Sequence, residues 1–334
     1  MTMEYRNLGS SSLNVSAISF GAWAAGGWMW GGNDHNDAVD AIRAAYDLGV
    51  TSIDTAPAYG QGASEEIVGE AIKNIPRDKV QVLTKYGLRW DLKKGKFHFF
   101  SKDNAGNPID IYKYAARESI IKECEDSLRR LRTDYIDLYQ IHWPDPTTPV
   151  EETMATMQHL IKQGKVKQAG VCNYNAGQLA EAQKYIRLVS EQVPYSLVNR
   201  KIEKEIVPYC LKNDLSVIAY SPLERGLLTG KIKPEHDFAE GDHRPGLNSY
   251  KKENIVRTNL FLEQIKPLAQ EKNVSLAQLV IRWTIGQPGV ATVLAGARNP
   301  KQAIENAKAI DVELSTDEIN FITQRSNELE LVQS

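Results

Sequence analysis

The chain contains eight short apolar segments, and a residue suited to chemistry or to cofactor binding follows nearly every one. The residues at or just after these segment ends are Asp54, Lys85, His142, Asn173, Gln192, Tyr220 and Arg298. Helical patterns separate the segments, and this strand–helix alternation predicts a parallel sheet. Eight units favour an α/β fold of the closed (β/α)8 type, a TIM barrel, over an open sheet. Such a barrel carries its active site at the carboxyl ends of its strands, where these side chains would meet.

The predicted elements account for most of the chain. YRNLGSSSLNVSAISFG indicates an N-terminal hairpin that leads into a first strand at residues 18–21. Later strands are predicted at 50–54, 80–84, 136–141, 166–171, 189–192, 215–220 and 292–294. A helix is expected to begin at Ser64, a good N-cap residue, and another to span 176–186. The dinucleotide fingerprint GxGxxG follows none of the strands, which argues against a Rossmann domain. We expect one barrel domain over residues 1–334.

Two long segments show neither a strand nor a helix pattern. The first covers 88 to about 117 and is rich in aromatic residues, and the second covers 224 to about 254 and is rich in Gly, Pro, His and charge. Loops this long inside a compact domain tend to be lids or binding loops. Five tryptophans lie in or beside loops at the expected mouth: Trp23, Trp28, Trp30, Trp90 and Trp143. They predict an aromatic-lined pocket for an aromatic aldehyde or a sugar, with structural packing as the alternative for some of them.

Composition excludes several classes of function. The net charge is −2 with interspersed signs, so neither nucleic acid nor an anionic membrane is an expected partner. No apolar run reaches membrane-spanning length, and MTMEYRNLG lacks the apolar stretch of a secretory signal. The three cysteines are far apart, which fits a reducing cytoplasm. The six histidines show no HxH or HExxH pairing, so we expect no metal site. A monomer or a weak homo-oligomer is expected.

Four of the polar residues make sense as one chemical unit. A tyrosine hydroxyl such as that of Tyr59 has an ordinary pKa of ~10 and transfers protons poorly at neutral pH. A nearby ammonium, here Lys85, favours the phenolate and is expected to depress that pKa. Asp54 could hold the lysine charged and oriented, and His142 could set the angle of a substrate carbonyl. Together these groups would protonate a carbonyl oxygen while hydride arrives at the carbon.

Each of the four residues also has a purely structural explanation. Asp54 could cap the turn at TAPAYG, Tyr59 could pack a loop, and His142 could be a hydrogen-bonded core histidine. Lys85 is harder to explain this way, because an ammonium at the end of a buried strand needs a partner. The placement of all four at strand ends and in the adjoining loop favours catalysis.

At these residues the chain resembles the aldo-keto reductase superfamily, over almost its whole length. The matching segments are DTAPAYGQGASEEIVGEAI, VLTKYG, LRRLRTDYIDLYQIHWPD, GKVKQAGVCNYN, AYSPLERGLLTGK and GARNPKQAIEN. WMWGG, TAPAYG and HWPDP look most like the bacterial general-stress-type, NADPH-dependent branch. The resemblance implies a reductase of small-molecule aldehydes or ketones that uses NADPH, with NADH possible but weaker.

The resemblance also implies individual roles. Tyr59 would be the general acid, Lys85 and Asp54 its tuning pair, and His142 the orienting residue, with Tyr59, His142, Trp23, Trp30 and Trp143 facing the substrate. Asn173 and Gln192 would bind the nicotinamide carboxamide, and Tyr220 would stack on its ring. The remaining cofactor residues would be Gly21, Trp23, Asp54, Ser221, Leu223, Gly226, Lys231, Gly296, Arg298, Gln302, Glu305 and Asn306.

The chain departs from the family pattern in two places. Cys172 replaces the usual serine before the carboxamide-binding asparagine, and Gly296-Ala297 replaces the Lys-Ser pair that many members place on the 2′-phosphate. Recognition of that phosphate would then fall to Arg298. Two other functions compete with a reductase: a cofactor-binding regulatory barrel with little turnover, and an aldolase that uses Lys85 as a Schiff-base nucleophile. A complete tetrad argues against the first, and the cofactor positions argue against the second.

Overall fold

The computed structural model describes residues 2–332 and contains a closed barrel of eight parallel strands, as predicted. In order around the barrel the strands are β3 (Ile18–Gly21), β4 (Ser52–Asp54), β5 (Gln81–Tyr86), β9 (Ile136–Ile141), β10 (Val166–Cys172), β11 (Ser190–Pro194), β12 (Ser216–Tyr220) and β13 (Val290–Gly296). The packed helices are α1 (His35–Tyr46), α2 (Ala63–Ala71), α3 (Arg117–Leu131), α4 (Val150–Lys162), α5 (Ala176–Ala182), α6 (Ile206–Lys212), α7 (Lys252–Glu271), α8 (Leu276–Ile285), α9 (Pro300–Ala307) and α10 (Thr316–Asn327).

The predicted N-terminal hairpin is present and closes the amino-terminal end of the barrel. It consists of β1 (Tyr5–Asn7) and β2 (Asn14–Ser16). Its Leu8 and Val15 are fully buried and pack with Leu83 and Ile218 from the barrel strands. The turn requires Gly9, because its φ is +53° and a Cβ there would lie 2.3 Å from a backbone oxygen. Apolar side chains of the hairpin and the strands therefore fill the interior at this end of the barrel.

Two predicted helix boundaries are wrong for local reasons. Helix α2 begins after Gly62, and Ser64 does not cap it. The Ser64 hydroxyl is buried, where it donates to the Ala22 carbonyl at 2.8 Å and contacts the Thr55 hydroxyl at 2.8 Å. Ser64 therefore ties the helix to the ends of β3 and β4. Helix α5 ends at Ala182 rather than 186, because the chain beyond it tightens into i→i+3 turns.

The segment from 88 to 117 was predicted to be irregular, and this prediction is also wrong. It forms a three-stranded antiparallel sheet of β6 (Leu88–Arg89), β8 (Pro108–Lys113) and β7 (Lys96–Lys102), in that order. The sheet lies between β5 and α3 in the chain, so it is carried at the carboxyl end of the barrel. The second long segment folds into short 3-10 turns before α7 begins at Lys252. Both segments therefore have defined structure over the same end of the barrel.

The described part of the chain lacks two kinds of feature. None of its helices is both long and apolar enough to cross a membrane. Residues 2–332 also contain no group of three or more His, Cys, Asp or Glu side chains placed to hold a metal ion.

Candidate active site

Asp54, Tyr59 and Lys85, which the sequence predicts to act together, are in direct contact. Lys85 ends far inside the barrel and is fully buried. Its Nζ donates to Asp54 Oδ1 at 2.5 Å and to the Thr55 carbonyl at 2.9 Å, and it lies 3.2 Å from the Tyr59 hydroxyl. The lysine thus has three oxygen partners, the number an ammonium can satisfy. Its orientation toward the phenol is fixed by the other two.

Burial and charge act in opposite directions on this group. Burial, the largest single effect, would lower the pKa of Lys85, but the charge and hydrogen bond of Asp54, together with Tyr59 and Cys172, raise that pKa above the ordinary value. Burial raises the pKa of Tyr59 to about 12, while the charge of Lys85 acts to lower it. The expectation of a net depressed phenol pKa is therefore wrong, because desolvation exceeds the effect of the ammonium. The phenol is protonated at neutral pH and can act as an acid.

His142 stands beside Tyr59 at the end of β9. The two rings meet edge to face with centroids 5.6 Å apart. Burial, with smaller contributions from Lys85 and His98, lowers the pKa of His142 well below its ordinary value. The imidazole is therefore neutral at pH 7 and offers one N–H donor and one acceptor nitrogen. A neutral donor beside the phenol can orient a carbonyl oxygen without competing to protonate it.

The three residues expected to contact the nicotinamide lie together on neighbouring strand ends. Gln192 is buried and donates to Asp54 Oδ2 at 2.9 Å, so part of its amide already holds the carboxylate. The Asn173 amide donates to the His142 carbonyl at 3.1 Å and accepts from the Tyr220 hydroxyl at 3.0 Å. Asn173 has φ of +61°, a left-handed conformation that asparagine tolerates better than most residues. Two side-chain amides and one aromatic ring are therefore held close together, and all three line the same pocket.

A single pocket of about 510 Å³ opens above these residues, within the range of small-molecule sites. All of the sequence-predicted site residues line it except Lys85, which lies buried below Tyr59. The predicted members of the lining are Gly21, Trp23, Trp30, Asp54, Tyr59, His142, Trp143, Asn173, Gln192, Tyr220, Ser221, Leu223, Gly226, Lys231, Gly296, Arg298, Gln302, Glu305 and Asn306. Residues scattered over the sequence are therefore brought to one cavity by the strand order.

One arm of the pocket leads from Tyr220 toward the start of α9. A turn with positive φ at Ser221, Arg225 and Gly226 forms its wall. Lys231 faces Glu305 across the arm at 3.7 Å. At its far end the Arg298 backbone N–H donates to the Gln302 side chain at 2.9 Å, and the structure of residues 2–332 contains no ion pair to the Arg298 guanidinium.

The residues present fit the dinucleotide that the family resemblance implies. The lining contains the amide groups of Asn173 and Gln192, the aromatic ring of Tyr220 and the cationic side chains of Lys231 and Arg298. Glycines at 21, 226 and 296 leave the wall open, where larger side chains would occupy space. The Arg225 Nε is buried and has no hydrogen-bond partner in the described structure. Such a donor is costly unless a ligand satisfies it.

The mouth of the pocket contains residues that sequence reasoning missed. His98 and Phe99 of the antiparallel sheet line it, as do Met29, Arg225, His243 and Arg244. His243 connects two loops, since its Nδ1 contacts the Met29 carbonyl at 2.5 Å and its ring packs 4.9 Å from that of Trp23. The composition of segments 88–117 and 224–254 predicts that they are binding loops. The sequence does not indicate which of their side chains face the pocket.

The tryptophans have different positions. Trp23 stacks on Tyr59 with ring centroids 5.9 Å apart, and Trp30 meets Trp23 edge to face at 5.5 Å. Trp28 is buried and donates to the Lys102 carbonyl at 2.8 Å, while still lining the pocket. Trp143 also lines the pocket, whereas Trp90 only packs in the cluster behind it. An aromatic-lined mouth is therefore present, with Trp90 outside it.

Comparisons with known proteins agree with this geometry. The sequence model described as "Aldo/keto reductase family" matches residues 17–327. Aldo-keto reductase YhdN of Bacillus subtilis is 41% identical over 302 residues, which cover 90% of this chain and 86% of that protein. The NADH-specific methylglyoxal reductase of Escherichia coli is 36% identical, with 97% and 98% covered.

Among solved structures, the glycerol dehydrogenase AKR11B4 from Gluconobacter oxydans superimposes with a TM-score of 0.88 at 35% identity. The match covers all of this chain and 98% of that one. Sequence and fold therefore agree along essentially the full length. The chain belongs to the aldo/keto reductase family, and it is an NAD(P)H-dependent oxidoreductase.

Proposed function

We propose that the protein reduces aldehyde or ketone carbonyls of small molecules to alcohols, with NADPH as the preferred reductant and NADH as a weaker one. The observation that carries this proposal is the protonated Tyr59 hydroxyl, which lies 3.2 Å from the Lys85 ammonium and faces the pocket beside His142. When bound, the nicotinamide supplies the hydride. The protein supplies the proton and the orientation of the carbonyl.

Each member of the site has a role in this proposal. The His142 imidazole donates to the carbonyl oxygen and sets its angle. The Tyr59 hydroxyl donates a proton to the same oxygen as negative charge develops there, and Lys85 stabilises the phenolate left behind. Asp54 keeps Lys85 charged, and Gln192 keeps Asp54 in place. Because Tyr59 and Lys85 are in contact, the proton donor and the charge that stabilises its product need no rearrangement during the reaction.

The preference for NADPH rests on Arg298. Its guanidinium has no ion-pair partner within residues 2–332 and stands at the far end of the arm, near the start of α9. A guanidinium binds a phosphate through paired, charge-assisted hydrogen bonds. The Escherichia coli relative is NADH-specific by its name, so membership of the family leaves the choice between the two cofactors open.

The test is a turnover assay with each reduced cofactor and a panel of carbonyl compounds that includes methylglyoxal, glyceraldehyde and an aromatic aldehyde. Cofactor oxidation is followed by its near-ultraviolet absorbance. Turnover that depends on the carbonyl, and that is faster with NADPH, supports the proposal. Cofactor binding without turnover of any compound would contradict it and favour a regulatory barrel.

The aldolase alternative makes a separate prediction. A Schiff-base nucleophile must be a neutral amine during attack. Here the Lys85 ammonium is held by Asp54, Thr55 and Tyr59, and its pKa is raised rather than lowered. Borohydride should therefore trap no substrate on the protein.

We further propose a single catalytic domain that acts in the cytoplasm as a monomer or a weak homo-oligomer.

A further inference from the structure

An irregularity in β7 turns two consecutive side chains toward the pocket. β7 pairs with β8, and the register shifts between Phe97 and Phe99, so His98 is the extra residue of a bulge. In a regular strand successive side chains alternate between the two faces. Here His98 and Phe99 both line the pocket, while Phe97 and Phe100 share the outer face with ring centroids 4.6 Å apart. Without the bulge, only one of His98 and Phe99 would face inward.

His98 has packing partners but no hydrogen-bond partner. Its ring lies 5.1 Å from that of Trp143 and 4.9 Å from that of Phe99. Neither of its nitrogens takes part in a hydrogen bond within the described chain. Burial, followed by the charge of Lys113, lowers the pKa of His98 to about 4, so the ring is neutral at pH 7. A neutral imidazole that lines a pocket has one donor and one acceptor to offer a ligand.

His98 is also close to the reacting group. Trp143, against which it packs, follows His142 directly in the chain, and His98 contributes to the shift in the pKa of His142. Tyr59 and His142 would hold the carbonyl oxygen in the proposed reaction. His98 lies on the antiparallel sheet, whereas His142 follows a barrel strand, so the two imidazoles line the same pocket from different elements.

We propose that His98 is a specificity-determining residue, which hydrogen-bonds an oxygen on the carbon next to the carbonyl. The favoured substrates are then small carbonyl compounds with a hydroxyl or a second carbonyl on that neighbouring carbon. This inference rests on the proposed function, since it concerns the substrate class of the same site. The aromatic residues around His98 pack against the rest of the substrate's carbon skeleton, and the imidazole hydrogen-bonds the oxygen on the neighbouring carbon.

The test compares lactaldehyde with propanal, which differ only by the hydroxyl on the neighbouring carbon. In His98→Phe the ring that packs on Trp143 is kept and both nitrogens are lost. We expect kcat/KM to fall about tenfold for lactaldehyde, the value of one hydrogen bond, and to change less than about twofold for propanal. His98→Gln, which restores a donor and an acceptor, should recover part of the loss. His236→Phe, an exposed histidine outside the pocket, is the matched control and should change neither substrate.

The outcomes separate this inference from the function beneath it. Equal losses for lactaldehyde and propanal in His98→Phe would show that His98 only packs, and the inference would be overturned. Unchanged values for both substrates would overturn it as well. If the wild-type protein reduced neither compound nor any other carbonyl, the proposed function itself would fail. Cofactor fluorescence quenching in every variant verifies that the pocket has folded.

Discussion

The floor of the pocket, formed by Asp54, Tyr59, Lys85, His142 and Gln192, is built differently from its rim. On the floor, Asp54 accepts from Lys85 at 2.5 Å and from Gln192 at 2.9 Å, and Lys85 has three oxygen partners. On the rim, formed by residues 23–30, 88–113 and 221–250, four buried nitrogens have no hydrogen-bond partner within residues 2–332: Trp23 Nε1, Trp30 Nε1, Arg225 Nε and His243 Nε2. Hydrogen bonds fix the floor before any ligand arrives. The rim contains donors and acceptors that a ligand can satisfy, so we assign chemistry to the floor and selection to the rim.

Backbone conformation shows the same contrast. The floor side chains come mainly from the ends of regular parallel strands, whereas Ser221, Glu224 and Arg225 on the rim all have positive φ. Non-glycine residues in this region are strained unless the surroundings hold them. Tyr250 provides such support, because its hydroxyl contacts the Glu224 and Arg225 carbonyls at 3.0 and 2.8 Å. The conformation of this part of the rim therefore depends on hydrogen bonds from within the rim itself.

The largest effect should follow removal of the proton donor. In Tyr59→Phe the ring that stacks on Trp23 is kept and the hydroxyl is lost. We expect turnover to fall by about 10²–10⁴, the usual value of general acid catalysis, with cofactor affinity nearly unchanged. Carbonyl reduction and cofactor fluorescence quenching, measured side by side, check this. Turnover within a fewfold of wild type would remove Tyr59 from the mechanism.

Lys85→Met should have the next largest effect, with activity about a hundredfold lower. The Lys85 ammonium acts to lower the pKa of Tyr59, so its loss should raise that pKa further. The phenol then becomes a weaker acid for reduction. Alcohol oxidation requires the deprotonated phenol. The rate of alcohol oxidation should therefore begin to rise at a higher pH in Lys85→Met than in the wild type.

The pH–rate profile of alcohol oxidation checks the Lys85→Met prediction. Lys79→Met, an exposed lysine before β5, is the matched control and should behave as wild type. An inflection that stays at the same pH in Lys85→Met would mean that another group sets it, and the floor would lose its proposed tuning pair.

Arg298→Ala tests cofactor selection. Charge-assisted contacts to phosphate contribute ~1.5–3 kcal/mol, so NADPH should bind about ten- to a hundredfold more weakly, with NADH nearly unaffected. Titration of both cofactors at fixed ionic strength measures this. Lys301→Ala removes an exposed cation in the first turn of α9 and is the control. If Arg298→Ala weakened the binding of NADH and NADPH equally, the guanidinium would not recognise the 2′-phosphate.

The smallest predicted effect uses the bulge in β7. Phe99→Leu removes an aromatic ring from the pocket, and KM for the carbonyl substrate should rise about three- to tenfold with kcat nearly constant. Phe100→Leu changes a side chain that is 76% exposed on the other face of the same strand, and it should change neither constant. Steady-state kinetics on the two variants checks the geometry. Equal effects at both positions would contradict the bulged register.

The sequence indicated the strand-end residues that meet at the floor but missed His98 and Phe99 on the rim, for one physical reason. Asp54, Lys85 and His142 follow regular apolar strands, and the barrel brings the ends of such strands together wherever they stand in the chain. β7 reads KFHFFSK, and its bulge breaks the period of two by which a strand is recognised. The bulge that turns His98 toward the pocket therefore also makes β7 hard to recognise from the sequence. The net pKa of Tyr59 was missed because desolvation depends on packing that the sequence does not show.

The division between a catalytic floor and a selective rim is tested most directly by one ratio. The ratio is kcat/KM for lactaldehyde divided by kcat/KM for propanal, measured in Tyr59→Phe. We expect both kcat/KM values to fall by about 10²–10⁴ while their ratio stays within about twofold of the wild-type value. In His98→Phe, by contrast, the ratio should fall about tenfold. A changed ratio in Tyr59→Phe would show that the proton donor also selects the substrate, and would contradict the division.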